Sequence, residues 1–202
     1  MAIISSSNYN YMMRSFYSSN RMAYKSYNRG TLKNHDLIRA DGEAMRKVTK
    51  NLKELEYNTK NGEAIYNNVK GFVETYNNLL ESTDKADTSR EMTRAQKALK
   101  NYMKDHKDDL EEIGIKLTSS GKLELKKTTL ATTSPSKVKK VLKEKDDLIG
   151  NVSKHATRII RFARNMALNG NSSTKKTTTS TETTTPPVTT AFDITSQFDS
   201  LA

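Results

Sequence analysis

A chain of 202 residues with 34% hydrophobic side chains, no Trp and no Cys cannot fill a thick layered core, and it excludes disulfides, thiolate zinc sites and cysteine nucleophiles together. Long helices that each bury one stripe suit such a composition. The formal net charge of +11 points toward anionic partners, but residues 137–164 alone hold nine basic residues against three acidic ones, so much of the excess is local.

Residues 1–33 mix Ser, Asn, Tyr, Met and Arg without a steady helix or strand period, which predicts a flexible arm. In it Tyr9, Tyr11, Phe16, Tyr17, Tyr24 and Tyr27 interleave with Arg14, Arg21, Lys25 and Arg29, a mixture able to stack on bases and touch phosphates. Its opening, MAIISSSNYNYMMRS, lacks a basic start followed by a sustained apolar run, so no ordinary signal peptide is expected. No apolar run in the chain nears the roughly 20 residues of a bilayer span.

Over residues 38–80 the positions Ile38, Met45, Val48, Leu52, Leu55, Tyr66, Val69, Val73, Tyr76 and Leu80 step by threes and fours. Thr59 and Gly62 take apolar places in that register within a polar run. The pattern therefore predicts one helix near 36–57 and another near 62–82. Thr88 and Glu91 have the spacing of a capping box, which predicts a third helix with Met92, Leu99, Met103, His106, Leu110, Ile113 and Leu117 on one face, ended by Gly114.

Residues 115–125, IKLTSSGKLEL, switch to period two around Ser119, Ser120 and Gly121 and predict a short hairpin. After Ser134-Pro135 a last helical stretch carries Val138, Val141, Leu148, Val152, Ile159, Phe162 and Met166 on one face, divided at Gly150. The Thr-rich run at 170–190 reads as a disordered linker, and AFDITSQFDSLA at 191–202 as a short amphipathic segment that docks on a partner or on the chain itself. The fold class expected is mainly α: an elongated antiparallel helical bundle or coiled coil over residues 34–169, with one short β-hairpin near 115–125, between disordered N- and C-terminal tails.

The sequence offers little chemistry. His35, His106 and His155 stand far apart, and the last two fall in helical seams, where a hydrogen-bonded structural His is the ordinary case. No HExxH, CxxC or EF-hand spacing occurs, and Lys116 stands where a phosphate loop ending in Gly121-Lys122 needs glycine. The acids Asp105, Asp108, Asp109, Glu111 and Glu112 alternate with lysines as on a solvated helix face. The chain is expected to be no enzyme and to hold no cofactor or metal. One candidate binding surface remains: Lys154, Arg158, Arg161 and Arg164, on a helix with Ile159, Ile160 and Phe162, as an anion-binding face. The structural alternative is a basic outer face on a packed helix.

GFVETYNNLL at 71–80, LEEIGIKLTSSGKLELKKTTL at 110–130 and SPSKVKKVL at 134–142 together resemble the C-terminal part of the flagellar hook-associated protein 2 family, whose members form the filament cap. The residues that carry the resemblance are Phe72, Val73, Tyr76 and Asn77 in the first stretch, then Leu110, Ile113, Gly114, Ile115, Gly121, Lys122, Leu123, Leu125 and Leu130. Pro135, Val138 and Leu142 complete it. Ser120 and Lys126 stand where that family has acids. What the resemblance implies is a non-enzymatic, exported, coiled-coil protein of the bacterial flagellum, extracellular, homo- or hetero-oligomeric through its helices. It also implies a hairpin packed on the FVETYNNLL helix. Its heptads would join Val48, Leu52, Leu55, Val69, Val73 and Tyr76 to Val152, Ile159 and Phe162. The alternative is a stand-alone, cytoplasmic helical module that binds an anionic partner, nucleic acid or a surface polymer, through its basic C-terminal helix.

Overall fold

The computed structural model describes residues 6–84 and 89–172. The Thr-rich run beyond residue 172 and the segment at 191–202 lie outside them. In chain order the elements are α1 (Ser6–Phe16), α2 (Asn34–Glu54), α3 (Gly62–Thr83), α4 (Arg90–Asp105) and α5 (Lys107–Glu112). There follow β1 (Ile115–Leu117), β2 (Leu123–Leu125), α6 (Lys127–Thr132), α7 (Pro135–Lys139) and α8 (Leu148–Ser172). The protein is mainly α with one antiparallel two-stranded hairpin, in register Ile115 to Leu125 and Leu117 to Leu123, as the periodicity predicts.

α2 packs along α3 on one side and α8 on the other, and α4 lies against both α3 and α8. α2 and α8 run antiparallel: Lys53 reaches Asp147 at 3.5 Å near one end, and Arg164 meets Glu43 at 3.8 Å toward the other. Gly42 lets these two helices close up, because a Cβ there would stand 2.6 Å from Ile160 Cγ1. The apolar stripes meet between the helices, with Val48, Leu52, Val69, Phe72, Leu79, Leu99, Met103, Val152 and Ile159 fully buried. Leu55 and Phe162, expected in the same seam, are only partly buried at its margin. No helix among the described residues is long and apolar enough to cross a membrane.

Several expectations need correction. The arm expected to be flexible over 1–33 is folded from residue 6 onward. Tyr9, Met12, Met13, Phe16 and Tyr17 recur at the i, i+3, i+4, i+7, i+8 spacing of an amphipathic helix, and Met13, Phe16 and Tyr17 are buried against the bundle. Two 3-10 turns, Arg21–Tyr24 and Ser26–Thr31, then bring Arg29 back onto α2. The cap of α4 is Ser89, whose hydroxyl accepts the Met92 N–H (3.2 Å), and not Thr88. The expected third helix is broken at His106 into α4 and α5. The last stretch divides at Asp146 and Asp147, both with left-handed φ (57° and 43°), after a π turn at Lys140–Glu144, while Gly150 lies inside α8. Aspartate tolerates that conformation better than most residues. Asn151 Nδ2 donating to the Asp146 carbonyl at 2.8 Å, and Lys145 Nζ to Asp109 at 2.7 Å, hold the corner.

Candidate interaction surfaces

Three constructions stand out on this frame, and the first gathers the residues of the family resemblance. Gly114, with φ of +83°, turns the chain out of α5 into β1, a backbone state that side chains resist. A Cβ there would also press within 3.0 Å of backbone at Lys126 and Leu130. The hairpin then folds back onto α3. Asn77 Nδ2 donates to the Leu123 carbonyl and the Leu123 N–H donates to Asn77 Oδ1, each at 2.8 Å. One side-chain amide so satisfies both backbone groups of Leu123 on the strand edge. Tyr76 Oη donates to the Gly121 carbonyl (3.1 Å), and burial lifts its phenol above the ordinary value of 10.0.

Phe72, Val73, Ile115 and Leu123 fill the space beneath this contact, while Leu125 is half-buried. Pro135 opens α7 at a first-turn place where its missing N–H costs nothing, behind Ser134, whose hydroxyl accepts the Lys137 N–H. Val138 joins the core. The motif residues act as packing and docking elements.

The second construction pins the N-terminal arm. Arg29 clamps Asp41 of α2 with two parallel bonds, Nη1 to Oδ1 at 2.9 Å and Nη2 to Oδ2 at 2.8 Å, and Asp41 is fully buried. Tyr17 Oη donates to Asp41 Oδ1 (3.0 Å) and accepts from Asn78 Nδ2 (2.9 Å), so α1, α2 and α3 meet at one carboxylate. Burial raises the Asp41 pKa against the pull of Arg29, and raises Tyr17 well above its ordinary value. None of these residues was singled out in the sequence except as parts of an arm. The signal was the stripe from Tyr9 to Tyr17.

The third is electrostatic. The four residues expected to form one anion-binding face, Lys154, Arg158, Arg161 and Arg164, are all exposed on α8, the first three at the i, i+4, i+7 spacing of one helix face. The guanidinium groups of Arg158 and Arg161 lie 5.8 and 5.6 Å from the centre of the Phe162 ring, while Arg164 pairs with Glu43. Lys154 instead lines an open groove between α2 and α8, together with Arg46, Lys47, Lys50 and Lys53 of α2. Sequence reasoning missed the α2 half of that groove, although Arg46, Lys50 and Lys53 have the i, i+4, i+7 spacing of one helix face.

Of the histidines, His106 and His155 flank the Tyr102 ring at 4.6 and 5.6 Å, and burial lowers the His155 pKa with help from Arg158. Among the described residues no three His, Asp or Glu side chains cluster as metal ligands. No protein-family model matches the chain, and no curated protein and no solved structure matches it.

Proposed function

We propose that the chain is a non-enzymatic structural and assembly protein of the bacterial flagellum, similar to the helical part of the filament cap, exported and acting through coiled-coil packing of its helices with partner subunits. The observation that carries this reading is the docking of the hairpin on α3 by Asn77 and Tyr76. The order of the motifs along the chain does not by itself require Asn77 and Leu123, 46 residues apart, to meet. The resemblance implies that the hairpin packs on this helix, and the two bonds to Leu123 engage residues that carry it.

The polar faces of α4 and α8, and the C-terminal end of α2, are left for contacts with other subunits, as an assembly module needs. The folded arm adds a condition to export through a narrow channel. The Tyr17, Arg29 and Asp41 contacts form only after passage, or are undone before it.

The test is fractionation of the native host into cytosol, culture supernatant and purified flagella, with quantitative detection in each. Enrichment in flagella or supernatant that disappears when the flagellar export apparatus is deleted is the expected result. Confinement to the cytosol in both strains would overturn the reading and leave a resemblance of helical architecture alone.

A further inference from the structure

The groove between α2 and α8 has its basic walls on two helices that are distant in sequence. Arg46, Lys47, Lys50 and Lys53 stand on α2 and Lys154 on α8, against two acids, Glu43 and Asp147. Each acid already has a cation beside it: Glu43 faces Arg164 and Asp147 faces Lys53. Lys50 shares an exposed pair with Glu54 at 3.8 Å, a contact that water and salt loosen readily. Lys47 bonds the neutral oxygens of Ser15 and Ser18, and Lys154 bonds the Asn151 amide oxygen. Among the described residues no carboxylate pairs with Arg46, Lys47 or Lys154; the Lys47 ammonium is turned to the arm at Ser15 and Ser18, so Arg46 and Lys154 carry the uncompensated charge of the groove.

The occupant follows from what else the groove holds. Its floor is Thr49, Ile149, Gly150 and Ser153, and Ile149 is fully buried. Every described lining side chain other than Ile149 is polar or charged, so a partner helix or peptide would find no exposed aliphatic or aromatic side chain there to anchor on. None of the described lining residues is aromatic, so nothing offers a stacking platform for bases. What remains is a line of positive charge from Arg46 to Lys53 of α2, about 10 Å at 1.5 Å per residue. That length faces roughly three phosphates at the 3.4 Å axial spacing of one nucleic-acid strand.

We infer that the α2–α8 groove binds a linear phosphodiester polymer through its backbone charges, without regard to sequence. The inference goes beyond the assembly reading and does not depend on where the protein resides.

The test uses the full chain and fluorescence anisotropy with three labelled polymers: a short mixed-sequence single-stranded oligonucleotide, a glycerol-phosphate polymer and polyglutamate of similar charge. Both phosphodiester polymers are expected to bind at about 50 mM salt, with log affinity falling against log salt at a slope near −2 for roughly three contacts. A preference for the oligonucleotide or the glycerol-phosphate polymer identifies the source of the phosphates, and either supports the inference. Arg46→Glu combined with Lys154→Glu should weaken binding on the order of tenfold or more and flatten the slope by about 1.4, two contacts' worth. Lys126→Glu, on the hairpin side, should change neither. Equal binding of polyglutamate would overturn the inference in favour of an acidic protein partner. Absence of binding at low salt would overturn it outright, as would full affinity in the double variant with circular dichroism unchanged.

Discussion

At the scale of single residues, two polar side chains hold together parts of the chain that periodicity cannot connect. Asn77 was legible as part of a motif, but its bonds to Leu123 were not, because nothing in an i, i+3, i+4 pattern says which outward residue meets a strand edge. Replacing it with Ala removes two bonds and strands both backbone groups of Leu123, at a cost of about 2 kcal/mol. Urea unfolding should show a lower midpoint with the same denaturant dependence. An unchanged midpoint would mean that Leu123 and Ile115 hold the hairpin by apolar packing alone. Asp41 stands inside an apolar helical register and was passed over for that reason. Asp41→Ala leaves the Arg29 guanidinium in the interior without its carboxylate, which should cost about 3–5 kcal/mol in a thermal melt. Arg29→Met together with Asp41→Leu should recover most of that loss, since the penalty comes from the unpaired charge and not from lost attraction.

At the scale of elements, the boundaries of α2, α3 and the hairpin, and the start of α4, lie within a few residues of where capping residues, polar breaks and period changes put them, because those signals are local. The arm was misread for a physical reason. Its apolar stripe is set in Ser, Asn and Arg, so composition argued for a tail while spacing argued for a helix. The stripe prevails because Gly71 of α3 leaves a flat place on which Met12, Met13 and Phe16 seat, each within 3.4 Å of where a Cβ would be. Phe16 is the largest apolar side chain the arm contributes there. Phe16→Ala should therefore destabilise the fold by about 3–5 kcal/mol. Limited proteolysis should also cut faster within residues 6–33 than within α8, whereas an arm that merely rests on the surface would be cut equally fast before and after the substitution. The corner at Asp146 and Asp147 escaped notice because Asp carries no fixed turn signal of the kind Gly does.

At the scale of the whole molecule, the helices were legible and their neighbours were not. A heptad tells that a face is buried but not against what, so the pairing of α2 with α8, and with it the basic groove, emerges only in three dimensions. The same assembly ties three separated regions to buried phenols. Tyr17 of the arm donates to Asp41, Tyr57 of the α2–α3 link donates to the Leu52 carbonyl at 2.9 Å, and Tyr76 of α3 donates to the Gly121 carbonyl. Burial raises all three above the ordinary value of 10.0. In the unfolded chain these phenols ionise near pH 10, whereas in the folded protein they keep their protons, so above pH 10 the unfolded state binds fewer protons. Their contribution to stability is therefore complete below pH 10 and is lost as the pH rises toward and through the folded values. Tyr9 is raised as well, by burial and by Glu74 beside it, so four protons are at stake and unfolding free energy should fall by about 5 kcal/mol per pH unit in that range. Melts followed by circular dichroism should hold steady with respect to these groups up to pH 9, then drop, and phenolate absorbance from the four should appear together with unfolding. Tyr57→Phe, which removes one proton and strands only a carbonyl at a partly exposed site, should flatten the decline by about a quarter. If phenolate absorbance instead rose fully before the helices melted, the four tyrosines would be titrating from accessible positions, and the seams that join arm, link and hairpin to the bundle would have to be open at alkaline pH.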